Sequence, residues 1–264
     1  MATAQHLRAQ IEANLAERIP SALTPLPRIP SPVAPTGIRE IDALLHGGFP
    51  TGAISEIVGQ ECSGRTSLAL TFVAGLTQEG KVCAWVDVSD TLHPESAAAL
   101  GVDLSRLLWI RCGVPPGTGP KRKLWPRLEQ GLKVCDLLLQ AGGFSCIVLD
   151  MGSLPPEYAL RVPLATWFRF RAAAERLQAN VLLLTQHACS RNSAGLVLRL
   201  KPENVHDYDS TVFTGLEHKA ELSRQRFPHD NVLPLRPTAG RDRKQPQSVQ
   251  TAAWQTRTVW AGPR

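Results

Sequence analysis

The chain has 264 residues, of which 43% are hydrophobic, and a formal net charge of +6. This length is enough for one α/β domain with tails. We find no apolar segment of membrane-spanning length and no signal-peptide core, so we predict a cytoplasmic protein with no membrane partner. Six cysteines without a C-x-x-C pair, and seven histidines without metal-ligand spacing, disfavour a disulfide scaffold and a metal protein.

The first 35 residues are predicted to be separate from the main domain. Residues 3–18 have the spacing of an amphipathic helix, with Leu7, Ile11 and Leu15 on one stripe. Six prolines between residues 20 and 35 then indicate a stiff, extended linker. Because such a linker separates the helix from its own domain, we expect the helix to dock on another subunit. Packing on its own domain is the alternative.

Residues 36–227 are predicted to form the core domain. Apolar segments of strand length alternate with segments of helical periodicity, which indicates a mostly parallel central sheet with helices on both faces. The predicted strands are 53–59, 81–87, 107–111, 144–150, 181–187 and 195–201, and 211–227 could add a further strand or hairpin. The predicted helices are 64–78, 94–100, 124–140 and 159–178.

The charge is concentrated at the C-terminal end. From Gly215 onward there are nine Lys or Arg residues against four Asp or Glu residues, which is +5 of the net +6. Residues 228–264 are rich in Pro, Gln, Arg and Thr, so we predict a basic, disordered tail. Such a segment is typical of contact with nucleic acid or an acidic partner. A merely solvated tail is the alternative.

The segment from Gly59 to Ser67 resembles a phosphate-binding loop with one departure. In the pattern G-x-x-x-x-G-K-[ST], backbone N–H groups surround the phosphates, a Lys reaches the terminal phosphates and a hydroxyl ligates Mg²⁺. Arg65 stands at the Lys position, and its planar fork is a poor substitute for a compact ammonium. A glycine-rich connection without a ligand is the alternative. The candidate nucleotide-binding residues here are Gly59, Glu61, Ser63, Gly64, Arg65, Thr66 and Ser67.

Over roughly residues 36–227 the chain resembles the RecA recombinase family. The resemblance lies in the run from Thr36 through the phosphate-binding loop, in DVSDTLHPESAAALGVDLSRLLWIR, in FSCIVLD and in VLLLTQH. It implies ATP and Mg²⁺ as cofactors, with Thr66 and Asp150 at the metal. It also implies that Gln186 is a further nucleotide-binding residue, at the position where the family couples nucleotide state to its DNA-binding loop.

Several family positions are altered in this chain. Ser89 replaces the family's water-activating Glu, and a hydroxyl cannot act as that base. Ser96 replaces the adenine-stacking Tyr, and the segment 188–195 is much shorter than the family's second DNA-binding loop. We therefore predict no catalytic residue, a vestigial nucleotide site and weak or absent ATP hydrolysis.

A closer resemblance is to divergent ImuA-type paralogues of bacterial mutagenesis cassettes. It rests on the degraded phosphate-binding loop, on the Leu124-Trp125 and Leu128-Glu129-Gln130 helix, and on Leu198-Arg199-Leu200. It implies an SOS-type role in damage tolerance beside translesion polymerases, with single-stranded DNA and a second copy or a Y-family polymerase-like protein as partners. An active ATP-dependent recombinase and an adaptor that binds neither nucleotide nor DNA are the alternatives.

The resemblance also assigns a role to Arg224 and Arg226. They align with two family Lys residues that reach across the subunit interface to a neighbour's terminal phosphate. Arg suits phosphate through its bidentate fork, so the resemblance implies a trans-subunit contact. Solvated charges on an edge strand are the alternative.

Overall fold

The computed structural model describes residues 6, 7, 10, 32–113, 124–208, 212–225 and 250–257. The chain divides into two units, Met1–Ser31 and Pro32–Arg264. In the first unit His6, Leu7 and Gln10 are helical. The rest of the predicted helix 3–18, with Ile11 and Leu15, lies outside the described residues, so its docking role stays a prediction.

The second unit contains strands and helices that alternate along the chain, as predicted. The strands are β1 Val33–Ala34, β2 Phe49–Pro50, β3 Ile54–Gly59, β4 Cys83–Asp87, β5 Leu107–Arg111, β6 Cys146–Asp150, β7 Asn180–Thr185, β8 Leu196–Tyr208, β9 Val212–Gln225 and β10 Thr251–Arg257. The α-helices are α1 Arg39–Leu44, α2 Arg65–Gln78, α3 Pro94–Ala99, α4 Leu124–Ala141, α5 Pro156–Leu160 and α6 Leu164–Leu177. Short 3₁₀ helices lie at Leu104–Arg106 and Arg191–Ser193.

Eight of these strands form one sheet in the order β10-β9-β8-β3-β7-β6-β4-β5. Six neighbouring strands pair in parallel, namely β5, β4, β6, β7, β3 and β8. Beyond β8 the sheet continues with two antiparallel strands, since β9 pairs with β8 and β10 pairs with β9. Strands β1 and β2 form a separate antiparallel pair. The mostly parallel sheet of the predicted fold class is therefore confirmed.

Apolar side chains cover both faces of the sheet. Trp85 contributes to the core on the side of α1, α2 and α3, while its neighbours Ala84 and Val86 contribute to the core on the side of α4, α5 and α6. This alternation follows from the two-residue period of a strand. It explains why the central strands are apolar on both faces, as a helix-covered parallel sheet requires.

Two of the differences from the predicted boundaries have a clear physical reason. The predicted helix 159–178 is divided into α5 and α6, and Pro163 is the N-cap of α6. A proline lacks the N–H that a continuous helix needs and disfavours helical backbone in the residue before it. The last predicted strand extends from 201 to Tyr208 because β8 pairs along its length with β9.

Part of the segment predicted as a disordered tail is a strand. Thr251–Arg257 pairs residue by residue with β9, from Thr251 opposite Glu221 to Arg257 opposite Gly215. Trp254 in this strand is 5% exposed and joins the core on the α2 side. The expectation of disorder was wrong for these seven residues. The polar composition of the whole tail does not reveal that one apolar side chain, Trp254, packs in the core. Residues 226–249 and 258–264 lie outside the described residues.

Among the described residues, no helix is both long enough and apolar enough to cross a membrane.

Candidate functional site

The carboxyl ends of β3, β4, β6 and β7 meet at one edge of the sheet, which is where open α/β sheets bind ligands. At this edge β3 leads through residues 60–64 into α2, which begins at Arg65. The predicted strand, glycine-bounded loop and helix are therefore present in that order. In this arrangement the free N–H groups of a helix N-terminus can bind an anion.

The loop is packed closely against the far strands of the sheet. Gly64 has left-handed backbone with a φ of 85°. A Cβ on Gly64 would lie 3.0 Å from both the His218 ring and the Trp254 ring. These two rings contact each other at a tilt of 32°, with their centroids 4.9 Å apart. Glycine is thus required at position 64, and β9 and β10 form the support of the phosphate-binding loop.

The other loop residues differ in exposure. Glu61 and Thr66 are exposed, and Ser67 is half-buried. Ser63 is 1% exposed, and its hydroxyl is buried without a hydrogen-bond partner. A buried hydroxyl of this kind has free capacity for a ligand or a water molecule.

Arg65 extends across the edge of the sheet. It is 8% exposed, and its Nη2 donates to the carbonyl oxygen of Gly152 at 3.1 Å. Burial lowers the pKa of the guanidinium, while the charges of Asp150 and Glu61 oppose that shift. The Nη1 atom is buried without a partner. The charged end of Arg65 is therefore engaged by its own chain, next to the predicted metal-site carboxylate.

Asp150 lies at the end of β6, opposite Asp87 at the end of β4. Its Oδ1 accepts the N–H of Gly152 at 2.9 Å. Burial raises the pKa of Asp150 to about 6, with a further rise from Asp87, while the Gly152 N–H and Arg65 oppose the shift. Asp150 is consequently a poorly solvated carboxylate that already has a cation nearby.

Asp87 is fully buried, and the structure uses its carboxylate to hold the following turn. It accepts the N–H groups of Thr91 at 3.1 Å and Leu92 at 2.9 Å, and the Trp109 indole N–H at 3.3 Å. Ser89 is half-buried in this turn. Ser96 serves the start of α3, where its N–H donates to His93 Nδ1 at 3.2 Å.

Gln186 directly follows β7 and also reaches Gly152. Its Nε2 donates to the Gly152 carbonyl oxygen at 3.1 Å. The structure thus brings together Arg65, Asp150 and Gln186, three residues predicted from separate motifs, around one backbone position.

Glu56 holds the segment after Gln186 and was missed from the sequence. We call residues 186–195 the β7 loop. Glu56 is fully buried on β3, and its carboxylate accepts the N–H of Cys189 at 2.6 Å and the Ser190 hydroxyl at 2.5 Å. It also accepts the Ser190 N–H at 3.4 Å. An acidic residue inside the apolar run ISEIVG was the available signal.

Arg224 contacts the same loop from β9. Its Nη2 donates to the carbonyl oxygens of Arg191 and Ala194, and its Nη1 is 3.5 Å from Asn192 Oδ1. In this structure the Arg224 side chain therefore contacts the β7 loop of its own subunit. Arg226 lies outside the described residues, so the trans-subunit role of the pair stays a prediction.

The residues present suit phosphate better than they suit Mg²⁺. The backbone of Gly59–Ser67 and the Ser63 hydroxyl could hold a phosphate group. A divalent cation at Asp150 would meet the buried guanidinium of Arg65, a positive charge that already lies beside this carboxylate. Thr66 and Asp150 therefore do not form a favourable magnesium site beside Arg65.

Comparisons with known proteins agree with the fold. A family model described as the RecA N-terminal domain matches residues 28–162, just over half of the chain. A solved structure described as "Crystal structure of the RadB recombinase" is similar, with a TM-score of 0.52 and 20% sequence identity over 74% of this chain and 91% of that chain. At this identity the structural match shows the fold alone, but the family model covers the phosphate-binding loop and β6. The chain therefore belongs to the RecA family.

Proposed function

We propose that this protein is a DNA repair and damage-tolerance accessory of the RecA family that binds single-stranded DNA and does not hydrolyse ATP. Family membership supports a role in DNA repair or recombination. One observation supports the loss of hydrolysis most directly: Arg65 is buried and bonded to Gly152 beside Asp150, instead of being free for a terminal phosphate.

The rest of the edge supports the same conclusion. Phosphoryl transfer depends on positioned charge and on a group that orients the attacking water. Ser89 supplies no carboxylate, and the nearby Asp87 carboxylate is occupied by two backbone N–H groups and an indole N–H. ATP and Mg²⁺ are at most vestigial ligands of such a site.

DNA binding is supported by charge and by exposed residues at the sheet edge. The basic residues at 241, 243 and 244 lie in the C-terminal segment, and His187 and Arg191 are exposed in the β7 loop. Self-association or a Y-family polymerase-like partner in translesion synthesis extends the proposal. That extension rests on the ImuA-type sequence resemblance.

The hydrolysis part is tested with purified full-length protein, with and without single-stranded DNA. We expect phosphate release at background level, because loss of a general base alone costs about a hundredfold to ten-thousandfold. The double variant Arg65→Lys/Ser89→Glu asks whether turnover can be restored. DNA-stimulated turnover that disappears in Asp150→Asn would contradict the proposal.

The DNA part is tested by anisotropy of a labelled oligothymidine at two salt concentrations. Removing residues 228–264 is unsuitable, because it deletes Trp254 beneath the phosphate-binding loop. The variant Arg241→Gln/Arg243→Gln/Lys244→Gln keeps that strand and should lower the salt slope by about one per lost phosphate contact. The same triple change at Lys121, Arg122 and Lys123 is the matched control. No salt-dependent binding by the parent would favour the adaptor alternative.

A further inference from the structure

Gly152 is the point at which three elements of the edge are joined. Its carbonyl oxygen accepts from Arg65 at the start of α2 and from Gln186 after β7, each at 3.1 Å. Its N–H donates to Asp150 at the end of β6. We call residues 151–155, which connect β6 to α5, the β6 loop. Both backbone polar groups of one β6-loop residue are thus held by side chains from outside the loop or at its base.

The Arg65 contact is tightly packed as well as hydrogen-bonded. A Cβ on Gly152 would lie 3.2 Å from the Arg65 Cζ and Nη1 atoms and 3.1 Å from Asp150 Oδ1. Arg65 is 8% exposed and Asp150 is 4% exposed. The hydrogen bond from a charged donor that is shielded from water is costly to break, because it leaves a buried polar group unpaired.

We infer that Arg65 is a positioning residue that fastens the β6 loop to the phosphate-binding loop, so that the β6 loop keeps one arrangement whether or not a nucleotide is present. The inference rests on the proposed function, in which the nucleotide has no catalytic part. An arginine fork at the start of a helix can reach a carbonyl in the loop after a neighbouring strand, whereas a phosphate-bound side chain would depend on its ligand. The link between the two loops is therefore part of the chain itself.

The test is amide hydrogen exchange of the free protein, followed at the β6 loop. Three amides there have acceptors in the structure: Met151 donates to Leu184, Gly152 to Asp150, and Leu154 to Met151. In the parent, exchange over residues 151–155 should be the same with and without ATP and Mg²⁺. In Arg65→Ala it should rise about tenfold or more, since a hydrogen bond from a charged donor contributes at least that much to a local equilibrium.

Arg106→Ala is the matched control. Arg106 also donates to a backbone carbonyl, that of Gly80 at 2.7 Å, but next to the opposite end of α2. Its loss should leave the β6 loop unchanged. Strand β4 serves as the internal reference, because general destabilisation would raise its exchange too. If Arg65→Ala does not fold, Gly152→Ala weakens the same contact from the other side by crowding Arg65.

Unchanged β6-loop exchange in folded Arg65→Ala, or parent exchange that falls when ATP and Mg²⁺ are added, would overturn the inference. The measurement uses neither DNA nor turnover. The exchange experiment can therefore contradict the role of Arg65 even when the hydrolysis and DNA experiments agree with the proposed function. Equally, it can support the role of Arg65 when those experiments contradict the proposed function.

Discussion

The β6 loop and the β7 loop lie side by side at the carboxyl edge of the sheet and are held by the same two kinds of side chain. A carboxylate accepts N–H groups from each loop: Asp150 from the β6 loop and Glu56 from the β7 loop. An arginine donates to carbonyls of each loop: Arg65 to Gly152, and Arg224 to Arg191 and Ala194. Both loops are thus fastened by side chains of their own chain.

The two loops differ in how the charges are satisfied. Glu56 accepts two N–H groups and a hydroxyl from the β7 loop, whereas Asp150 accepts one N–H from the β6 loop and has a pKa raised to about 6 by burial. Each arginine has one buried N–H group without a hydrogen-bond partner, at Nε in Arg224 and at Nη1 in Arg65. Arg224 donates to three oxygens of the β7 loop, whereas Arg65 donates to one carbonyl of the β6 loop. The β7 loop therefore receives more hydrogen bonds from its two anchoring side chains, and the β6 loop lies beside a carboxylate whose pKa is shifted upward.

The largest effect is expected from Glu56→Ala. The change leaves the Cys189 and Ser190 N–H groups buried without an acceptor, so we expect the free energy of unfolding to fall by about 3–5 kcal/mol. Urea unfolding followed by tryptophan fluorescence measures this. Glu79→Ala, which removes an exposed carboxylate paired with Lys81, should change stability by less than about 0.5 kcal/mol. A Glu56→Ala loss no larger than the control would refute the anchoring of the β7 loop.

The next effect is a pH dependence from Asp150, the last residue of β6 before the β6 loop. Because the pKa of Asp150 is about 6 in the folded protein and about 3.9 unfolded, the folded state binds more protons between these values. Stability from this group is therefore complete below the unfolded pKa and is lost as pH rises through about 6.

The difference in unfolding free energy between the parent and Asp150→Asn isolates this contribution. Between pH 7.5 and pH 5 the parent should gain about 1–2 kcal/mol relative to the variant. Asparagine can still accept the Gly152 N–H, so the variant keeps the loop contact. Parallel pH profiles of the two proteins would show that Asp150 has an ordinary pKa.

Much of the fold could be predicted from local sequence pattern, but the contacts at this edge could not. The boundaries of β5 agree with the prediction because its apolar run ends at Arg111, and α2 follows from the spacing of Leu68, Leu70, Phe72 and Val73. Arg65 was identified as a departure, yet its partner is 87 positions away. Glu56 meets Ser190 across 134 positions. Such residues come together only when the sheet is assembled. Neither the orientation of Arg65 nor the role of Glu56 can therefore be predicted from a local sequence motif.

The smallest effect is expected from Arg224→Ala, and it concerns the most exposed of the four anchoring side chains. Its bonds to Arg191 and Ala194 join β9 to the β7 loop, so we expect a loss of about 1 kcal/mol of unfolding free energy. Arg199→Ala, which removes a bond to Ser223 between β8 and β9, is the matched control and should cost less unfolding free energy.

Sedimentation velocity of Arg224→Ala, Arg226→Ala and the double variant then examines the predicted trans-subunit contact. Because Arg224 must first release its own loop to reach a neighbour, we expect it to change assembly less than Arg226 does. Assembly that is lost in Arg224→Ala without loss of stability would show instead that this arginine serves the neighbouring subunit and that its contact with the β7 loop is incidental.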